Sequence, residues 1–141
     1  MEVIHANEKS RPLIESFFKK LPLLEDISEE LLVNTVILSE NDIIKGLVSY
    51  ECFDKIALIR FFIFQKELPE NWLKTLMEEV LQKMKANRIK KVLSFVTQPK
   101  MVPIFSSFGF SEFDKKNLYL DETPLAKTDF NLNQVMVYSL G

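Results

Sequence analysis

The hydrophobic pattern changes period several times along this chain, and the changes divide it into elements. Ile56–Phe64 is apolar at every position except Arg60, the composition of a strand buried on both faces at the centre of a sheet. Trp72, Leu73, Leu76, Met77, Val80, Leu81 and Met84 then recur at three- and four-residue intervals. They predict a long amphipathic helix through residue 86, with Asn71 placed to cap it. Residues 92–96 form another short apolar run, entered through Ile89. Residues 99–107 read as a short helix bent at Pro103, and Phe108-Gly109-Phe110 as a sharp turn into a strand over residues 112–120.

The first half follows the same logic. Glu2–His5 alternates as a strand. Leu13, Ile14, Phe17, Phe18 and Leu21 share one helical face, which predicts a helix over residues 11–20. Pro12 lies in its first turn, Asn7 or Ser10 can cap it, and Pro22 ends it. Ser28 can cap a second short helix. A β-rich run follows over residues 34–39, then a turn at Glu40-Asn41-Asp42. Residues 43–53 form a strand joined to Ile56–Phe64 by the two-residue spacing of a hairpin. Residues 121–133 are polar, and Val135, Val137 and Leu140 alternate in a last strand. A helix between the runs at 56 and 92 suits a crossover between parallel neighbours, whereas the early and late pairs suit antiparallel ladders. The expectation is α/β: one mixed β-sheet flanked by helices, in a single domain covering residues 1–141.

Composition narrows the function classes. The 141 residues include 12 Phe and only 3 Gly, a packed interior with few open turns. The net charge of −2 provides no global field for nucleic acid. Local positive charge collects at Lys83, Lys85, Arg88, Lys90 and Lys91, which reads as a solvated helix end or as a patch facing an anionic ligand or acidic partner. Cys52 is the only cysteine and His5 the only histidine, so neither an intrachain disulfide nor an ordinary zinc site is expected. Cys52 reads as a buried structural thiol. No run of 18 apolar residues and no basic leader are seen, and the expectation is a cytoplasmic protein without a membrane span.

One group of residues carries a resemblance. Gln98, Phe105 and Phe108-Gly109-Phe110 stand in the order of an Asn, an aromatic on the following helix, and Leu-Gly-Phe before a strand. Gly46 stands where a glycine opens a third strand. In this order, over roughly residues 33–113, the chain resembles the GCN5-related N-acetyltransferase family. The resemblance implies the acyl-CoA N-acyltransferase fold and acetyl-CoA as cofactor. It also implies a loop of type Gln/Arg-x-x-Gly-x-Gly/Ala, whose amides and helix start cradle the pyrophosphate. Here Leu68 takes the arginine position, and Pro69, Asn71 and Leu73 take the glycine positions. The loop is therefore divergent, and Pro69 has no N–H to donate. The amides of Asn71, Trp72, Leu73 and Lys74 are the donors left to meet a phosphate, with Lys66 or Lys74 adding charge.

The resemblance also implies where the chemistry sits. Amides near Phe62, Ile63 and Phe64 would polarise the thioester carbonyl, and Gln98 and Phe105 would border the cofactor. Phe105 falls where a tyrosine often protonates the thiolate, and it has no proton to give. Tyr50, Tyr119, Tyr138 or water would replace it, and Tyr119 is the candidate chosen. Glu51 interrupts an apolar strand and is the candidate base, although a solvent-facing position or a pair with Arg60 also explains it. Trp72 reads as a helix anchor or as a ligand wall.

The leading expectation is acetyl transfer to a small-molecule or peptide amine, without nucleic-acid or membrane partners and with a homodimer left open. The alternative is a catalytically inactive ligand-binding or protein-interaction module. A third reading is a structural subunit whose last strand, near residues 135–140, offers an exposed sheet edge.

Overall fold

The computed structural model describes residues 1–20, 28–96, 98–112, 119–120, 123–124 and 134–140. The elements are β1 (Glu2–His5), α1 (Arg11–Lys19), α2 (Glu29–Val33), β2 (Thr35–Glu40), β3 (Ile43–Phe53), β4 (Ile56–Phe64), α3 (Glu70–Ala86), β5 (Lys91–Val96), α4 (Met101–Ser107), β6 (Ser111–Glu112), β7 (Tyr119–Leu120), β8 (Thr123–Pro124) and β9 (Gln134–Ser139). Seven strands form one mixed sheet in the order β1-β2-β3-β4-β5-β9-β6, with helices flanking it. The β1–β2, β2–β3, β5–β9 and β6–β9 pairs are antiparallel, and β4–β5 is parallel, joined through α3. By internal contacts the chain divides into two compact units, residues 1–51 with 61–80 and residues 52–60 with 81–141.

Local chemistry sets the boundaries in the first unit. Asn7 Oδ1 accepts the amides of Lys9 and Ser10, while Ser10 Oγ accepts the Asn7 amide at 2.9 Å. This reciprocal cap starts the chain into α1 and assigns the capping role to Asn7. Ser28 Oγ accepts the Leu31 amide and caps α2 as expected. Asn41 and Asp42 have φ of 53° and 62°, the two consecutive left-handed residues of a tight hairpin turn between β2 and β3. Ile14 and Phe18 of α1 pack with Ile37, Ile44 and Leu47. The buried Thr35 hydroxyl bonds the Leu31 carbonyl and Ser49 Oγ, both at 2.6 Å, so no donor is stranded there.

The second unit has its own core of Leu58, Leu93, Val135 and Val137, with Phe53, Ile56 and Phe95 against it. Here the structure corrects two expectations. The last strand is not a sheet edge: β9 lies between β5 and β6, paired from Val96↔Gln134 to Lys91↔Ser139 on one side and through Ser111↔Val137 on the other. The strand expected over residues 112–120 is described only as β6 and as β7. The latter pairs with β8 in a separate two-stranded sheet, and residues 113–118 lie outside the described residues. Pro103 is the third residue of α4, inside the first turn, where its missing N–H leaves no intrahelical bond unmade.

Candidate active site

In the second unit the β4–β5 ladder runs from Ile56↔Lys91 to Ile59↔Ser94, and no pair beyond it is found among the described residues. Burial changes at the same point. Ala57, Leu58 and Ile59 are buried, whereas Arg60 through Phe64 are only half-buried. The expectation of a strand covered on both faces therefore fails over its second half, which is where Phe62, Ile63 and Phe64 stand. An apolar strand left partly open is the surface an apolar ligand chain can occupy.

The open half of β4 is ordered by aromatic contacts within the first unit. Phe61 meets Phe18 edge-on at 5.3 Å between ring centroids, and Phe62 lies 5.2 Å from Phe64. The Gln65 amide donates to the Lys45 carbonyl of β3 at 3.0 Å. Successive amides of a strand alternate in direction, so the Phe62 and Phe64 amides point to the other edge of β4.

The loop after β4 is held from within. Leu68 N–H donates to the Gln65 carbonyl at 3.0 Å, and Leu68 covers Gly46, where an added Cβ would come 3.4 Å from its tip and 3.3 Å from that of Leu76. Asn71 does not cap α3. The helix begins at Glu70, and the Pro69 carbonyl accepts the amides of Trp72 at 3.0 Å and Leu73 at 3.3 Å. Those two amides, expected to face an anion, are therefore engaged. The Leu73 side chain is buried and Trp72 is half-buried. Lys74 is the fifth helical residue, where the amide already belongs to the intrahelical ladder. The amides of Glu70 and Asn71 precede the first intrahelical bond, and they remain as the helix-start donors.

Glu51 is half-buried near the end of β3, next to the fully buried Tyr50, whose side chain alternation sends to the opposite face. Cys52, expected as a buried thiol, is half-buried. It interacts with Lys83, whose ammonium burial pushes below the ordinary lysine range while Cys52 opposes that shift. The His5 ring nitrogen Nε2 lies 3.1 Å from Glu79 Oε2, tying β1 to α3.

No known family pattern matches the sequence, and no curated protein sequence matches it either. Solved structures do match. The N-acetylglutamate synthase of Neisseria gonorrhoeae, complexed with coenzyme A and N-acetyl-glutamate, superposes with a TM-score of 0.76 at 16% identity over 99% of this chain and 35% of its own. This chain thus spans about a third of that enzyme. An acetyltransferase of the GNAT family from Staphylococcus aureus Mu50 gives 0.71 at 19% identity over 99% of both chains. The Escherichia coli ribosomal-protein-S18-alanine N-acetyltransferase gives 0.64 at 11% identity over 99% of this chain and 94% of its own. The chain has the GNAT fold.

Within the GNAT fold, the signature at the end of α4 has a structural cause. The Gly109 amide donates to the Ser106 carbonyl at 3.0 Å and the Phe110 amide to the Phe105 carbonyl at 3.1 Å, with Gly109 at φ 99°. This is a Schellman stop, with glycine at the left-handed position. The apolar contact that accompanies such a stop is Phe105 against Phe110, 5.2 Å between centroids, with Phe108 at 6.3 Å from Phe105. Phe105 is thus buried in packing. Gln98 is exposed and its carbonyl accepts the Met101 amide. The Tyr119 backbone pairs with Pro124, and its side chain lies outside the described part of the structure.

Sequence reasoning missed two features, the closure of Leu68 over Gly46 and the Pro69 carbonyl as acceptor for the start of α3. A leucine at an arginine position was the available signal for the first. A proline one residue before the helical pattern was the signal for the second.

Proposed function

We propose that this chain is a single-domain acyl-CoA-dependent N-acetyltransferase acting on a small-molecule or peptide amine. The observation that carries this reading is β4, an apolar strand that leaves its parallel ladder after Ile59 and stays half-open through Phe64. The match to N-acetyltransferase structures, one holding coenzyme A and an acetylated amino acid, supports it. Acetyl-CoA supplies an activated thioester. Phe62, Ile63 and Phe64 would hold its apolar arm, and the Phe64 amide would donate to the carbonyl. The Glu70 and Asn71 amides would receive phosphate at the helix start, with Lys66 and Lys74 adding charge. Glu51 takes the proton of the attacking amine. On attack a C–N bond would form as the C–S bond breaks, with water giving the departing thiolate its proton. A cytoplasmic location belongs to the same proposal.

A second reading is favoured by the loop itself. With Pro69 lacking an N–H and the Trp72 and Leu73 amides bonded to its carbonyl, the phosphate cradle is reduced. A fold that has lost catalysis and serves as a binding module fits that reduction. Titration calorimetry with acetyl-CoA, with free CoA as control, separates the two. Micromolar binding of acetyl-CoA, followed by CoA release with an amine acceptor, is the outcome expected of the enzyme. Binding without turnover across an amine panel supports the binding module, and no binding at millimolar cofactor sinks the acyltransferase reading.

A further inference from the structure

The two helix stops of the second unit differ at one residue. At the end of α3 the Arg88 amide donates to the Lys85 carbonyl and the Ile89 amide to the Met84 carbonyl, both at 3.0 Å. This is the same Schellman geometry as at α4, but its left-handed position holds Arg88 at φ 65° instead of a glycine. A residue with a Cβ is strained there, and glycine is the favoured occupant. Arg88 is exposed, and among the described residues it makes no ion pair. Strain kept where packing does not require it points to a use for the side chain.

The surroundings of Arg88 share its charge. The Lys55 carbonyl, in the β3–β4 turn, accepts the amides of Lys90 at 2.7 Å and Lys91 at 3.3 Å, and the Lys90 carbonyl accepts the Leu140 amide at 2.8 Å. The two turns and the end of β9 are thereby laced into one rigid platform. Lys55, Lys85, Lys90 and Lys91 all stand exposed on it, and Lys55, Lys85 and Lys90 make no ion pair among the described residues. Asp54 is the one carboxylate on these turns. A helix dipole explains cations in the last turn of α3. It does not explain Lys55, Lys90 or a strained Arg88 beyond the helix.

We propose that Lys55, Lys85, Arg88, Lys90 and Lys91 form a docking surface for an acidic protein segment. Five cations on a rigid platform, in a chain whose net charge is −2, match a short run of Asp and Glu side chains. A nucleic acid would bring a continuous line of phosphates against a chain with excess acid elsewhere.

The test uses the full chain and a fluorescent decaglutamate peptide, read by anisotropy at low salt, beside a uridine oligomer. Arg88→Gly is the decisive variant, because it removes charge while relieving strain. Its thermal midpoint should rise by about 2–4 °C, while peptide affinity falls about threefold or more. Lys55→Glu with Lys90→Glu should lower affinity about tenfold or more, with added salt doing the same. Lys9→Glu with Lys19→Glu, on exposed sites of the first unit, should change it less than about twofold. The proposal is overturned if wild type does not bind the peptide, if the platform variants bind as wild type does, if the control pair loses as much, or if the uridine oligomer binds more tightly. Arg88→Gly with an unchanged or lowered midpoint overturns the strain argument.

Discussion

Gly109 lies against the ring of Tyr138: a Cβ added to Gly109 would come 2.9 Å from Tyr138 Cε2 and 3.4 Å from Cδ2. Gly109 also holds φ at 99°, so Gly109→Ala combines backbone strain with a clash against a ring that packs on Phe110 at 5.4 Å. The expected cost is about 1–3 kcal/mol. Gly46→Ala is the contrast. Its added Cβ would meet the tips of Leu76 and Leu68 at 3.3 and 3.4 Å, and these flexible ends can shift, so the cost should stay below about 1.5 kcal/mol. Urea unfolding of both variants checks the order. Equal losses would show that Tyr138 yields as easily as a leucine tip.

These two glycines also mark how far the sequence could be read. Phe108-Gly109-Phe110 announced its turn because a Schellman stop needs a left-handed residue flanked by apolar partners, and all three requirements are local. The β3–β4 hairpin and the face of α3 were legible for the same reason: period and turn spacing are short-range. The place of β9 was not. A strand that alternates as Val135 and Val137 do reads equally well at an edge or inside, and only its pairing with β5 and β6 decides. The open half of β4 was hidden too. Phe61 to Phe64 have the composition of core, and their exposure depends on where the parallel ladder stops. In the loop, Pro69 was visible as a missing donor, but its role as acceptor for Trp72 and Leu73 depends on where α3 begins.

Asn71→Pro tests the helix start. Residue 71 is the second of α3, where proline is tolerated because the amide makes no intrahelical bond. The variant should fold with a far-ultraviolet spectrum like that of wild type. If its amide donates to a phosphate, acetyl-CoA affinity should fall about tenfold, the loss of one hydrogen bond to a charged group. Calorimetry gives the answer directly, and an unchanged dissociation constant in a folded variant removes Asn71 from the site.

Glu51→Gln separates chemistry from binding. A carboxylate acting as base contributes about 100- to 10,000-fold to the rate, and its amide cannot accept the proton. Turnover should fall by about that factor, while acetyl-CoA affinity changes by less than about twofold. Activity should return toward wild type at high pH, where the amine loses its proton without help. A turnover number unchanged at neutral pH would return Glu51 to a purely structural position on β3.

Arg11 sets a pH dependence on the outside of the first unit. Its guanidinium bonds both carboxylate oxygens of Glu29 and, through Nε, Glu15 Oε1 at 2.7 Å, so it ties α1 to α2. The hydrogen bond from Arg11 holds the Glu29 carboxyl below the ordinary carboxylate range. A carboxyl with a depressed folded pKa binds protons less readily in the native state than in the unfolded chain. Its contribution is therefore complete above the unfolded value and is lost as pH falls through the folded one. Both side chains are exposed, so salt screens the pair and the effect is small. Thermal midpoints of wild type and Glu29→Gln, followed from neutral pH downward at low salt, should differ near neutrality and converge in acid, with the gap shrinking as salt is added. A gap that persists in acid would assign the effect of the substitution to packing at the start of α2 and not to the charge of Glu29.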